Sequence, residues 1–154
     1  MESFFENYFE CLKRLHQSIH DAIDGLPPDA LDWAPGPDTN SICVLVVHLT
    51  GAERYWIGDV AVGDPSGRVR AEEFQVKGLD AEALRQRLGA ATSYAKDALE
   101  RLRVTHLAVV RPSPRDGRQF TVGWALAHAL EHTALHLGHI QITRQWWQQS
   151  RGWV

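Results

Sequence analysis

Apolar residues recur every three or four positions along the first 25 residues, which is the spacing of one face of an amphipathic α-helix. The stripe comprises Phe5, Phe9, Leu12, Leu15, Ile19 and Ile23. Gly25 can then adopt the left-handed conformation that closes a helix, and Pro27 and Pro28 prevent its continuation. The sequence therefore predicts a first helix that ends near Gly25, followed by a loop rich in proline and glycine.

The same periodicity predicts two further helices. One begins near Ser41, where a run of side-chain oxygens can cap the first-turn amides, and its inner stripe contains Leu45, His48, Ala52, Tyr55 and Asp59. The other follows Asp80, a candidate N-cap, and its core-facing positions are Leu84, Leu88, Ala91, Ala95, Ala98 and Leu102. The polar stretch between these helices, from a turn at 63–67 to Lys77, gives no clear prediction.

A fourth helix is predicted from about Thr121 to Trp147, which is long for a globular protein. Residues 104–120 combine a β-favouring run with turn residues, which indicates a short hairpin or an irregular crossing, not a sheet. Four amphipathic helices without a strong strand pattern predict an all-α four-helix bundle. With 154 residues, the chain is expected to form a single domain, residues 1–154.

Composition and charge argue against several kinds of partner. The formal net charge is −3, the pI is about 6.2, and arginines alternate with acids, so no nucleic-acid partner is expected. The longest apolar run covers residues 42–47, far short of the roughly 20 residues of a membrane-spanning helix. Cys11 and Cys43 are too few and too far apart to indicate a disulfide framework. We therefore expect a cytoplasmic protein with reduced thiols and no membrane segment.

The candidate chemistry lies in the fourth helix, where four histidines occur within the segment HALEHTALHLGH at 128–139. A helical step of 100° per residue places all four within an arc of about 80°, so they share one stripe. His132 and His136 are one turn apart and can direct their rings at the same ion. His48, at the end of an apolar run in the second helix, is the candidate third ligand. The predicted metal ligands are therefore His48, His132 and His136.

Several neighbouring residues have open roles. His128 and His139 flank the predicted pair on the same stripe, as a pocket wall or as groups that contact the ligands. His16 lies on the apolar face of the first helix, where it can line the pocket or form an ordinary core hydrogen bond. We expect Tyr55 to be a core residue and Asp59 to be solvated, so no general base is assigned.

The segment HALEH at 128–132 also matches H-x-x-E-H, the inverted zinc-protease motif, in which the glutamate acts as a base. That chemistry requires a further protein ligand well downstream. Only residues 133–154 follow His132, and none of these 22 residues is Asp or Glu. The sequence therefore argues against a metalloprotease.

Three segments together resemble the DinB/YfiT-like metalloenzymes: LDWAPGPDTNSI at 31–42, VLVVHLTGAERYW at 44–56 and FTVGWALAHALEHTALHLGHIQITRQ at 120–145. The resemblance covers nearly the whole chain. It implies a four-helix bundle of DinB/YfiT type with a long crossover connection, in which His48, His132 and His136 bind a divalent metal. One departure is His139, which follows Gly138 where family members often have Gln.

The resemblance also implies a chemistry, because the family is similar to thiol-dependent enzymes, including transferases that use mycothiol or bacillithiol. We expect zinc as the ion, with nickel, manganese or iron as alternatives, and a low-molecular-weight thiol and an electrophile as substrates. A hydrolase that activates water at the metal, and a non-catalytic bundle that binds a metal or a small molecule, are the alternative functions. A homodimer is implied, with a monomer as the alternative. Trp146, Trp147 and Trp153 are candidates for an interface or for covering the end of the bundle.

Overall fold

The computed structural model describes residues 1–152, and helices account for most of this range. The long helices are α1 (Ser3–Ile23), α3 (Ile42–Glu53), α5 (Ala81–Glu100) and α6 (Val122–Ser150). Between them lie two short helices, α2 (Pro28–Asp32) and α4 (Arg70–Glu73), and α3 continues directly into a π-helical segment, Arg54–Val62. A 3₁₀ turn, Val104–Ala108, precedes a hairpin formed by β1 (Val110–Pro112) and β2 (Gln119–Thr121).

The four long helices form a bundle, as the sequence predicted. α1 packs against α5 and α6, and α3 packs against the same two helices. α1 and α3 therefore occupy opposite corners of the bundle, and residues 24–41 cross it diagonally to join them. This arrangement confirms the all-α four-helix bundle with a long crossover connection.

Side-chain caps fix where three of the long helices begin. Ser41, Asp80 and Thr121 precede α3, α5 and α6, and each accepts a hydrogen bond from the N–H of the third helical residue, at 3.2, 2.8 and 3.1 Å. At its other end α6 continues to Ser150, three residues beyond the predicted end. Trp147, the last residue of the predicted helix, is buried. Trp153 lies outside the described residues.

Two connections contain short helices that the sequence did not predict. In the proline-rich loop, Pro28 occupies the first turn of α2, where its missing N–H removes no helical hydrogen bond. α4 lies in the polar stretch after Gly67 and buries Glu73. Both are too short for a periodic pattern to reveal them. The hairpin, in which Val110 pairs with Thr121, agrees with the first of the two alternatives for residues 104–120.

The interior of the bundle has two apolar clusters, one around Trp56 and one around Leu88, with a polar layer between them. Each long helix contributes one side chain to this polar layer: His16, Glu53, Thr92 and Thr133. The Glu53 carboxylate accepts hydrogen bonds from His16 Nε2 at 2.9 Å and from Thr133 Oγ1 at 2.6 Å. The Nδ1 atom of His16 lies 2.6 Å from Thr92 Oγ1, so one hydrogen-bonded network joins all four helices.

The character of the helices and the state of the two cysteines complete the description of the fold. Between residues 1 and 152, none of the helices combines the length and the apolar character that crossing a lipid bilayer requires. Cys11 and Cys43 are both free thiols, and Cys43 is buried.

Candidate metal centre

Three histidine side chains converge where α3 packs against α6. His48 is buried, with 6% exposure, while His132 and His136, one turn apart on α6, are half-buried. Each presents one ring nitrogen such that all three nitrogens lie within 4.8 Å of one another. These are the three residues that the sequence singled out. In the part of the chain that the structure describes, they form the only group of three or more potential ligands close enough to share an ion.

The local sequence explains why the rings meet. Every residue from Ile42 to Thr50 is buried, so α3 runs through the interior and directs His48 at a neighbouring helix. On α6, Ala125, Ala129 and Thr133 face the core, and the histidine stripe lies at the edge of that face. A four-residue spacing brings His132 and His136 onto the same side of α6, opposite His48.

The distances between the rings fit a shared divalent ion. His132 Nε2 lies 3.2 Å from His136 Nε2, and the centroid of the His48 ring lies 5.0 and 5.1 Å from theirs. Two imidazole nitrogens on one tetrahedral zinc ion are about 3.3 Å apart, given Zn–N bonds of about 2.0–2.1 Å. His132 Nδ1 is buried and has no hydrogen-bond partner among residues 1–152. Three imidazoles without a carboxylate ligand leave a position open for a further ligand, as in catalytic zinc sites.

The environment keeps the α6 pair uncharged. Burial, together with the nearby rings of His136 and His48, lowers the pKa of His132 to about 3. Burial, with the rings of His48 and His139, lowers the pKa of His136 to about 4. Both imidazoles are neutral at pH 7, and a neutral imidazole retains the nitrogen lone pair that a metal ion requires.

The other ring nitrogen of His48 has a partner that the sequence did not reveal. His48 Nδ1 lies 2.8 Å from Glu73 Oε2, and the two carboxylate oxygens of Glu73 accept hydrogen bonds from Arg68 at 2.6 and 2.8 Å. Burial works to raise the pKa of Glu73, but hydrogen bonds from Arg68 and His48 outweigh it and hold the pKa below its usual value. Residues 68–77 have no periodic pattern, so nothing in the sequence pointed to this carboxylate.

The two flanking histidines lie on either side of the three-histidine cluster and outside it. The His128 ring stacks on Trp124 with centroids 4.8 Å apart, and its Nδ1 lies 3.6 Å from a carboxylate oxygen of Glu131. His139 is exposed, and its Nδ1 lies 3.3 Å from His136 Nδ1. His128 therefore extends an aromatic wall beside the cluster, while His139 contacts a proposed ligand from the solvent side.

Three residues considered at the sequence level lie away from the cluster. His16 belongs to the polar layer and forms core hydrogen bonds. Tyr55 is buried, as expected, with its hydroxyl 2.6 Å from Ser113 Oγ. Asp59 is not solvated: its side chain is 6% exposed and lies 3.1 Å from Arg54 Nη1. The π-helical segment has more residues per turn than an α-helix, so Asp59 leaves the stripe on which helical spacing had placed it.

A cavity with a volume of about 840 Å³ lies between α3 and α5, where small residues such as Ala90 and Ala91 leave space. Its lining includes Arg68 and Glu73 but not the three clustered histidines. The Arg68–Glu73 pair therefore separates this cavity from His48. The cluster itself is open to solvent on the side of the half-buried His132 and His136.

Comparison with known families gives this arrangement a context. A family model described as mycothiol-S-transferase matches residues 8–149, a range that contains all three clustered histidines. The chain belongs to the mycothiol-S-transferase family. This family is DinB-like, which confirms the DinB/YfiT-like assignment made from the sequence. No curated protein sequence matches the chain at a significant level.

Solved structures similar to this member of the mycothiol-S-transferase family share its fold. A conserved protein from Enterococcus faecalis has a TM-score of 0.74 at 17% identity, covering 94% of this chain and 97% of that chain. A DinB-like protein from Bacillus cereus has a TM-score of 0.74 at 14% identity, covering 96% and 92%. YfiT from Bacillus subtilis, described as "a probable metal-dependent hydrolase with an unusual four-helix bundle topology", has a TM-score of 0.73 at 14% identity, covering 100% and 91%.

Proposed function

We propose that this protein is a metal-dependent enzyme that transfers a low-molecular-weight thiol to an electrophile. One observation carries the proposal: three imidazoles converge on an open position in a chain that belongs to the mycothiol-S-transferase family. His48, His132 and His136 are the proposed ligands. Zinc is the proposed ion, with nickel, manganese or iron as alternatives, because imidazole suits zinc, nickel and iron, whereas manganese prefers oxygen ligands.

A divalent ion held by three uncharged ligands keeps its full positive charge and would stabilise a coordinated thiol as its thiolate at neutral pH. In the overall reaction the thiol sulfur forms a bond to an electrophilic carbon, the leaving group departs with its bonding electron pair, and the thiol proton passes to solvent. The buried His48 closes the inner side of the site, while His132 and His136 border its open side. Trp56, whose ring lies 4.9 Å from that of His128, adds to the aromatic wall beside the cluster.

A conjugation assay tests the proposal. Metal-loaded protein is mixed with mycothiol, bacillithiol, glutathione or cysteine and with a generic electrophile such as monobromobimane. We expect metal-dependent conjugation that is fastest with mycothiol, is abolished by EDTA and is restored by zinc. His132→Ala should lower the rate by about 100-fold or more because a proposed ligand is lost. His106→Ala, in the 3₁₀ turn, is the matched control and should keep the wild-type rate. Absence of metal-dependent conjugation with every thiol would contradict the proposal.

The likeness to YfiT supports an alternative reaction, hydrolysis by the same centre. The same loaded protein is then assayed with a panel of activated esters and amides in the absence of thiol. Metal-dependent hydrolysis without thiol conjugation would favour this alternative. Stoichiometric metal binding without either activity would favour a non-catalytic metal-binding protein.

We also propose that the protein is a homodimer, formed through the outer face of α6. α6 has apolar residues on two sides. One side faces the core of the bundle, and the other faces outward. The outer side exposes large apolar residues over its whole length: Trp124 at 45%, Leu135 at 56%, Ile142 at 36% and Trp146 at 46%. Exposed large apolar residues that share one side of a helix are typical of an interaction surface.

The stripe is symmetric about Leu135, which favours a second copy as the partner. Three pairs of residues lie at equal sequence distances on either side of it: Trp124 and Trp146, His128 and Ile142, and Glu131 and His139. In an antiparallel pair of α6 helices with a two-fold axis at Leu135, the members of each pair meet across the interface. Glu131 would then face His139 of the partner subunit, an acid opposite a base. A two-fold interface requires this kind of self-complementarity.

A further inference from the structure

We infer that Glu73 is a positioning residue for the metal centre: held by Arg68, it fixes the ring of His48 so that Nε2 is the nitrogen available to the ion. The inference rests on the proposed metal centre and adds two residues that are not ligands. Its basis is the chain of contacts from Arg68 through Glu73 to His48, together with the packing around it.

The direction of one hydrogen bond sets the tautomer of His48. An ionised carboxylate can only accept hydrogen bonds, so the proton in the contact of 2.8 Å between His48 Nδ1 and Glu73 Oε2 belongs to Nδ1. Nε2 is then the ring nitrogen without a proton, and its lone pair is free. A carboxylate behind a metal-binding histidine also makes the imidazole a stronger donor to the metal.

Arg68 holds the carboxylate in place. Its Nε donates to Glu73 Oε1 at 2.6 Å and its Nη2 donates to Glu73 Oε2 at 2.8 Å, which is a two-point contact between planar groups. The side chains of Arg68 and Glu73 are only 11% and 9% exposed. The contact therefore restricts rotation of the carboxylate and, through it, rotation of the His48 ring.

Two neighbours show how closely the Glu73 segment is fitted to α3. The ring of Phe74 packs against that of His48, with centroids 4.8 Å apart. Gly51 lies one turn after His48 on α3, and a Cβ atom at this position would clash with the Glu73 carboxylate. Glycine at position 51 thus leaves the space in which Glu73 reaches His48.

The other two proposed ligands have no such support. His132 Nδ1 has no hydrogen-bond partner within the described chain, and His136 Nδ1 contacts the exposed ring of His139. His48 is the member of the cluster that is both buried and bonded to a carboxylate. We therefore expect His48 to be already oriented for binding before the ion arrives, while the rings of His132 and His136 rotate to complete the coordination.

Zinc affinity tests the inference, measured by competition with a chromophoric chelator on untagged protein. Glu73→Gln should raise the dissociation constant about 10- to 100-fold, the usual effect of losing a partner of this kind. Arg68→Gln leaves the carboxylate against His48 and should have a smaller effect. Glu72→Gln removes the adjacent exposed carboxylate of the same helix and should leave the affinity unchanged. Should Glu73→Gln fail to fold, Glu73→Asp provides a second variant. It keeps the negative charge but moves the carboxylate away from His48, and it should also raise the zinc dissociation constant.

Nitrogen NMR of the metal-free protein provides a second readout. In wild type the His48 signals should show the Nδ1-protonated tautomer, whereas Glu73→Gln should show a mixture of tautomers. If Glu73 had a purely structural role, Glu73→Gln would leave the His48 tautomer unchanged. Zinc binding would also be weakened as much in Arg68→Gln as in Glu73→Gln. Either result overturns the inference. Wild-type zinc affinity in Glu73→Gln also overturns it. Failure of the wild-type protein to bind zinc would instead contradict the proposed function.

Discussion

His132 and His136 titrate differently in the folded and unfolded protein. Burial and neighbouring rings lower their pKa values to about 3 and about 4 in the fold, whereas an exposed histidine in an unfolded chain titrates near 6.5. As the pH falls from about 6.5 towards 4, the unfolded state binds protons that the folded state does not. The free energy of unfolding of the metal-free protein should therefore decrease over this range.

Urea unfolding in the presence of EDTA, measured between pH 7 and pH 4.5, checks this expectation. The double variant His132→Gln, His136→Gln should show a shallower decrease, by at most about 1.4 kcal/mol per pH unit for each histidine removed. His106→Gln, at a partly exposed position away from the cluster, should keep the wild-type slope. If the double variant and the wild type have the same slope, the two rings are not shielded from protons in the fold.

The sequence predicted some of these residues well and missed others, for a physical reason. His132 and His136 were identifiable because helical spacing determines which side chains share a face, and His48 because its apolar neighbours indicated a buried helix. Glu73 and Arg68 lie in a polar connection, and only the tertiary fold brings them to His48. Spacing within one segment cannot reveal a contact of that kind.

The polar layer links the four long helices, and its central group is Glu53. This carboxylate is 2% exposed and accepts hydrogen bonds from His16 and Thr133. Removing it leaves a buried imidazole and a buried hydroxyl without their acceptor, which is typically costly. We expect Glu53→Ala to lower the free energy of unfolding by about 3–5 kcal/mol, measured by urea titration.

Two comparison variants sharpen this prediction. Glu100→Ala, at the exposed end of α5, should change the free energy of unfolding by less than about 0.5 kcal/mol. Replacing both partners, with His16→Leu and Glu53→Leu, removes the two buried polar groups together and should recover part of the loss. A Glu53→Ala protein as stable as wild type would show that the polar layer contributes nothing to stability.

The elements themselves were predictable to different degrees. α1 and α5 have regular apolar stripes, and the capping residues Ser41 and Asp80 marked where α3 and α5 begin. The π-helical segment after α3 was not predicted, because Arg54–Val62 has the composition of an ordinary helix. Its wider turn moves Asp59 away from the His48 stripe and into contact with Arg54, so the expectation of a solvated Asp59 was wrong.

At the scale of the whole molecule, we predict that two chains assemble through the outer face of α6. Light scattering after size-exclusion chromatography should give the mass of a dimer for the wild type. Leu135→Glu places two like charges at the proposed two-fold axis and should give a folded monomer with the helical circular-dichroism spectrum of the wild type. Val110→Glu, at an equally exposed apolar position in the hairpin, should remain a dimer. A monomeric wild type, or a dimeric Leu135→Glu, would contradict the α6 interface.

The proposed chemistry requires a metal ion in the three-histidine cluster. The most direct measurement is elemental analysis of untagged protein purified without a nickel column. We predict about one divalent ion per chain, loss of that ion in His132→Ala, and a higher melting temperature when zinc is added to the metal-free wild type. Wild-type protein that contains no metal and whose melting temperature does not rise with zinc or nickel would contradict the metal centre.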